Sequence, residues 1–180
     1  MKVETIDIDD LLIIYPDVFE DERGYFFESY NKRGFSEINL EIDFVQDNES
    51  LSQKGVLRGL HFQDLPYAQA KLIRVIQGSV LDVAVDIRRN SSTYGQHCSI
   101  ELSANNKKMF FLPEGFAHGF LTLEDNTIFS YKCSKFYNKQ SERTILWNDI
   151  DLNIEWGIEN PILSDKDRNG QIFKSFISSF

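Results

Sequence analysis

The stretch KLIRVIQGSVLDVAVDIRR, residues 71–89, decides how this chain folds. Leu81, Val83, Val85 and Ile87 share one parity, and Asp82 and Asp86 take the other. That two-residue period belongs to a β-strand with unlike faces. Gln77-Gly78 separates this run from the one before it and predicts a hairpin turn. Upstream lies another strand-like run, GVLRGLHFQ (55–63). Downstream follow HCSIELS (97–103), KKMFFLPEG (107–115), HGFLTLE (118–124) and TIFSYKCSKFY (127–137). Asn105-Asn106 and Asp125-Asn126 serve as turn residues between the runs. Many short strands with short turns predict an all-β fold, a sandwich or jelly roll. Helices are minor: a short one in NKRGFSEINL (31–40), and another opened by Ser164. Asp167 stands at its third helical position, an arrangement close to a capping box.

The totals agree with a folded domain. The chain has 180 residues, enough for one domain (1–180) with its own core. It is 42% hydrophobic and 13% aromatic, with 15 Phe, which suits a β-rich interior. The net charge of −9, without a Lys/Arg run, argues against a nucleic-acid partner. Cys98 and Cys133 form no C-x-x-C pair and read as reduced thiols of a cytoplasmic protein. The N-terminal stretch MKVETIDIDDLLIIYPDVF has neither a basic leader nor a long apolar run, so no membrane association is expected.

Chemistry-bearing residues are few. The histidines are His61, His97 and His118. His61 lies in a predicted strand with Arg58 three residues before it and Lys71 soon after. Cations beside such a strand are costly to bury unless an anion, such as a phosphate or a developing oxyanion, joins them. Arg58 and His61 differ by an odd number, so a regular strand would point them to opposite faces. A bulge at Gly59 would bring them together. Tyr131 lies in another predicted strand, either packed in the core or presented to a cavity as a proton donor. His97 has no partner in view and is assigned to the surface.

The spacing Pro113-x-Gly115-x-x-His118 resembles the second motif of the cupin superfamily. Metal-binding cupins pair it with an H-x-H, which this chain lacks, so no metal is expected. The resemblance sharpens with FEDERGYFFESYN (19–31), FVQDNES (44–50), KGVLRGLHFQ (54–63) and the run from Ala68 to Gly95. LPEGFAHGFLTL (112–123), YKCSKFYN (131–138), ERTILWND (142–149) and LSDKDR (163–168) extend it. Nearly end to end, the sequence resembles the dTDP-4-dehydrorhamnose 3,5-epimerase family, whose fold is a cupin-type jelly roll, a double-stranded β-helix. The cupin core would cover roughly residues 44–150.

That resemblance implies a homodimer acting on a small-molecule nucleotide sugar, with no cofactor. It assigns His61 as base, Asp167 as the carboxylate orienting it, Tyr131 as acid on the other face of the sugar, and Lys71 as neighbour of the C4 oxygen. Nucleotide and phosphate contacts fall on Arg23 and Glu28, then on Gln46, Asp47 and Asn48. Arg58, His118, Glu142 and Lys166 complete the set. One departure is visible: Glu49 stands where the family often has histidine.

The implied chemistry needs these groups. A hydrogen beside a ketone is removable once a fixed charge stabilises the enolate, a contribution of roughly 3–4 kcal/mol per donor. Histidine titrates near working pH, and a carboxylate on its other nitrogen fixes the tautomer. Epimerisation also needs a proton from the opposite face. No redox step occurs, in keeping with the missing G-x-G-x-x-G. Rival readings are an epimerase acting at one carbon or on another 4-keto sugar, a 3,4-ketoisomerase, a sugar-binding cupin without activity, and a metal-dependent oxygenase.

Overall fold

The computed structural model describes all 180 residues. Thirteen strands and two short helices make up the chain. β1 (Lys2–Thr5) and β2 (Leu12–Tyr15) lead to a small hairpin of β3 (Phe19–Asp21) and β4 (Gly24–Phe26). After α1 (Lys32–Ser36) come β5 (Gln46–Ser52), β6 (Leu57–Gln63), β7 (Lys71–Gln77), β8 (Ser79–Asp86) and β9 (His97–Ser103). β10 (Met109–Leu112), β11 (Phe116–Thr122), β12 (Thr127–Cys133), β13 (Glu142–Thr144) and α2 (Asp165–Arg168) complete the order.

Two antiparallel sheets face each other. One has the order β1-β2-β10-β7-β12-β5 and the other β13-β6-β11-β8-β9. From β6 onward the chain passes repeatedly from sheet to sheet, and only β8 and β9 pair as sequence neighbours. This is the jelly roll expected from the strand runs.

Gly78 therefore does not close a hairpin, as Gln77-Gly78 predicts. β7 and β8 lie in different sheets, and Gly78 is the corner between them. It has φ +77, and a Cβ there would meet Thr127 Oγ1 at 2.3 Å. The local signal for a tight reversal was real; the identity of the paired strands is a long-range property that no dipeptide encodes.

The alternation in β8 also has a different meaning from a simple inside and outside. Val83 and Val85 are fully buried, but on the outer face, in a cluster with Leu57, Leu121, Ile145 and Trp156. The C-terminal segment covers this face, with the Trp156 indole N–H donating to the Trp147 carbonyl. The inner face carries Val80, Asp82 and Ala84. Inside the sandwich, Ile73, Phe110, Phe116, Phe120 and Phe129 fill one end. The other outer face packs under α1, through Phe35, Ile14, Leu72 and Met109.

Both expected helices are present. Asn31 caps α1 by accepting from the Arg33 and Gly34 amides. Ser164 caps α2, its hydroxyl oxygen accepting from the Asp167 amide at 3.2 Å.

Candidate active site

A cavity of about 350 Å³ opens between the two sheets. Its floor is a pair of rings: Phe120 of β11 and Phe129 of β12 stack at 3.9 Å between centroids and belong equally to the core. Polar residues occupy the inward parity toward the mouth. On β12 that parity holds Phe129, Tyr131 and Cys133; on β7 it begins with Lys71.

β6 carries Arg58, His61 and Gln63 to the cavity wall. Opposite it on β11, His118 pairs with His61 but Phe120 pairs with Arg58. One residue on β11 thus faces two on β6, which is the bulge anticipated at Gly59. Gly59 has φ +150, and a Cβ there would lie 2.5 Å from Gly119 Cα. Only two facing glycines allow the strands to approach this closely. Leu57, Leu60 and Phe62 turn outward as a result.

His61 Nε2 lies 2.5 Å from Asp167 Oδ1. Asp167 is 2% exposed and further held by the Ser164 hydroxyl, which donates to Oδ2 at 2.6 Å, and by the Gly59 amide at 3.4 Å. Burial pushes the Asp167 carboxyl up, but the bonds from His61 and Ser164 outweigh it and hold the net below the ordinary range. Desolvation pulls the His61 imidazole below 6.5, overcoming the opposing pull of Asp167. The pair is therefore a neutral imidazole on an ionised carboxylate. Nε2–H donates to Asp167, which leaves the Nδ1 lone pair as the basic site.

Across the cavity, on the other sheet, burial raises the Tyr131 phenol to about 12. It is a proton donor throughout the neutral range. Lys71, 9% exposed, has its ammonium 5.8 Å from the Tyr131 ring centroid. Burial lowers its pKa. A second histidine–carboxylate pair backs the wall: His118 Nε2 is 3.0 Å from both oxygens of Asp82. Burial pulls His118 down as well, against Asp82. At the mouth Lys166 donates to Glu142 at 2.8 Å. Burial raises the Glu142 carboxyl, and Lys166 more than reverses it, for a net lowering.

Of the thirteen residues assigned from the sequence, the cavity wall includes Asn48, Arg58, His61, Lys71, His118, Tyr131, Glu142 and Lys166, with Asp167 directly behind His61. Four are elsewhere in this chain. Gln46 sits one step behind, bonding the Asn48 side chain and the Tyr137 amide. Asp47 is on the outward parity of β5, bound by Lys132 at 2.8 Å. Arg23 is on the exposed tip of the β3–β4 hairpin, bound to Asp21, and Glu28 holds Asn31. Residues not singled out from the sequence also line the cavity, among them Gln63, Gln69 and Tyr137. Asp82 had a signal, an acid in a largely apolar strand, but the alternation marked it only as lying on the face opposite Val83 and Val85. His97 lies half-buried on the edge strand β9, away from the cavity. No group of three His, Cys, Asp or Glu side chains is arranged to hold a metal ion.

Comparison with known proteins agrees over nearly the whole length. Residues 5–175 match the family described as dTDP-4-dehydrorhamnose 3,5-epimerase. A protein of that name from Shigella flexneri is 55% identical, with 96% of each chain covered. The crystal structure of the Bacillus anthracis enzyme of that name, with TDP and PPi bound, superposes with a TM-score of 0.94 at 45% identity, covering 96% of this chain and 99% of that one. That of a Legionella pneumophila dTDP-6-deoxy-D-glucose-3,5-epimerase in complex with dTDP-4-keto-L-rhamnose gives 0.94 at 43%, covering 98% and 94%.

Proposed function

The chain belongs to the dTDP-4-dehydrorhamnose 3,5-epimerase family, and we propose from that premise how its cavity works. The reaction inverts C3 and C5 of dTDP-4-dehydro-6-deoxy-D-glucose to give dTDP-4-dehydro-L-rhamnose. The observation that carries the assignment of roles is the division of labour between the sheets: a carboxylate-backed imidazole on one, a protonated phenol on the other, and one cavity between them.

In this reading His61 Nδ1 removes the proton beside the ketone. The Lys71 ammonium faces the C4 oxygen and stabilises the enolate, where desolvation strengthens its field. Tyr131 returns a proton from the opposite face, inverting the carbon. Solvent then takes the proton from the His61 imidazolium and returns one to the Tyr131 phenolate, and the step repeats at the second carbon. Asp167 fixes the tautomer and stabilises the imidazolium. Arg58 and Lys166 suit the diphosphate, with His118, Asn48 and Glu142 arranged around the substrate.

Arg23 and Glu28 fit a nucleotide-binding role only if a second copy supplies them. The hairpin that carries Arg23, just before Glu28, exposes Phe19, Tyr25 and Phe26, each more than half accessible. A cytoplasmic homodimer in which that hairpin reaches the neighbouring copy's cavity would bury those rings. A light-scattering mass of one chain in solution would overturn this part. No helix is long and apolar enough to cross a membrane.

The decisive experiment incubates the protein with dTDP-4-dehydro-6-deoxy-D-glucose in heavy water and locates the label by NMR. Deuterium at both C3 and C5 of an L-configured product is expected. Label at C3 alone would restrict the activity to one carbon, and no label would remove the assignment.

A further inference from the structure

The geometry points to Ser52 as a positioning residue for Arg58, one that aims the guanidinium at the substrate's diphosphate without cancelling its charge. The inference rests on the functional reading above and adds a residue to it.

Arg58 and Ser52 are six residues apart and lie in facing sheets, β6 and β5. Both side-chain hydrogen bonds that the guanidinium makes within the protein go to one atom. Nε donates to Ser52 Oγ at 3.3 Å and Nη2 at 3.2 Å. Ser52 is 5% exposed, at the end of the inward-facing row Asn48, Ser50, Ser52. It is fixed by its place in β5, opposite Thr127.

The contrast with three ion-paired arginines of the chain shows why the partner matters. Arg88 is bound by Asp86 and Asp10, Arg143 by Asp64, and Arg168 by Asp165. Each of these cations is met by a carboxylate, and each serves the scaffold or the surface. Arg58 lines the cavity and is met by a hydroxyl. A carboxylate at position 52 would hold the fork equally well, but it would neutralise the charge a diphosphate needs. A long arginine with no partner would keep its charge and wander among rotamers, at an entropic cost when the ligand arrives. A neutral acceptor on Nε and one face of the fork restricts the side chain and leaves Nη1 free for phosphoryl oxygens.

The test combines binding and turnover. Ser52→Ala is expected to raise KM and the Kd for dTDP about 5-fold, the scale of the net contribution of one ordinary hydrogen bond. Its kcat should stay within about 2-fold, since uniform binding is what is lost. Ser52→Thr, which keeps the hydroxyl, should restore both constants. In an Arg58→Lys background, which keeps the charge and removes the fork, Ser52→Ala should have no further effect on dTDP binding. Wild-type constants in Ser52→Ala, or an undiminished effect in the Arg58→Lys background, overturn the proposal. So does a loss confined to kcat and melting temperature, which would mark Ser52 as scaffold only. If the wild-type protein itself neither binds dTDP nor turns over the keto sugar, the functional reading fails first and takes this one with it.

Discussion

His61 on β6 and Asp167 on α2 stand 106 residues apart in the chain, yet Nε2 of one meets Oδ1 of the other at 2.5 Å. The contact depends on two separate pieces of local structure. The bulge at Gly59 turns His61 inward, and the Ser164 cap starts a helix of one turn that ends the chain's return to β6. Asp167 is thus fixed by the cap and the imidazole together, and the imidazole can take only one tautomer.

Replacing Asp167 by Asn should therefore leave the fold intact and cut kcat by roughly 10²–10⁴-fold, the usual range for a general-base contribution. Steady-state kinetics with a circular-dichroism control measures it. His61→Asn should also abolish solvent deuterium uptake by the substrate. Full exchange in that variant would sink the base assignment.

Tyr131→Phe separates the two halves of the reaction. With His61 and Lys71 untouched, the carbon acid is still deprotonated and can be reprotonated on the original face. Exchange into unreacted substrate should persist while net inversion falls by about 10²-fold or more. Equal loss of both, by NMR, would count against the phenol as the second acid.

The parts of this molecule legible in its sequence are those with local causes. Strands β6, β8, β9, β11 and β12 follow from short apolar runs, and the bulge follows from the parity clash between Arg58 and His61 with a glycine between them. What stayed hidden depends on which segments meet. Gly78 looks like a hairpin because it is a reversal, but β7 pairs with β10 and β12, and β8 with β9 and β11, never with each other. Asp82 lies on the inner face of β8 between Val80 and Ala84, where it meets His118 at the back of the cavity wall, and no neighbour in sequence announces that partner. The motif resemblance placed nine residues in or directly behind one cavity. It offered no means of knowing that Arg23, Glu28, Gln46 and Asp47 sit outside that cavity in a single chain.

The pH profile should be asymmetric. His61 must be neutral to act and is held below 6.5, so kcat/KM should remain level through neutrality and fall only in acid. On the alkaline side Lys71, lowered from 10.5, loses its charge before Tyr131, at about 12, loses its proton. Lys71→Arg should move the alkaline limb upward if it retains activity; Tyr131→Phe should leave it in place. Stability follows the same direction. The folded His61 and His118 resist protonation, so the unfolded chain takes up protons first as pH drops below 6.5. Asp86 and Asp167, both lowered from 3.8, add a further loss at lower pH. Thermal melts from pH 8 to pH 4 should show a steady decline in acid. A melting temperature that rises on acidification would contradict the buried-neutral reading.

Gly59→Ala should be among the most damaging single-atom additions available. The new Cβ would sit 2.5 Å from Gly119 Cα, a backbone atom that cannot rotate away, and φ +150 is a conformation alanine disfavours. Strain and overpacking together predict a loss of roughly 2–5 kcal/mol, or a fall in Tm of roughly 5–15 °C for a chain of this length. The consequence for activity should exceed that for stability. If β6 relieves the clash by giving up its extra residue, His61 rotates to the outer face and Asp167 is left buried without its partner. At temperatures where the variant is still folded, kcat should therefore fall by at least as much as in Asp167→Asn. Retention of near-wild-type kcat in a folded Gly59→Ala protein would mean that the bulge does not position the base.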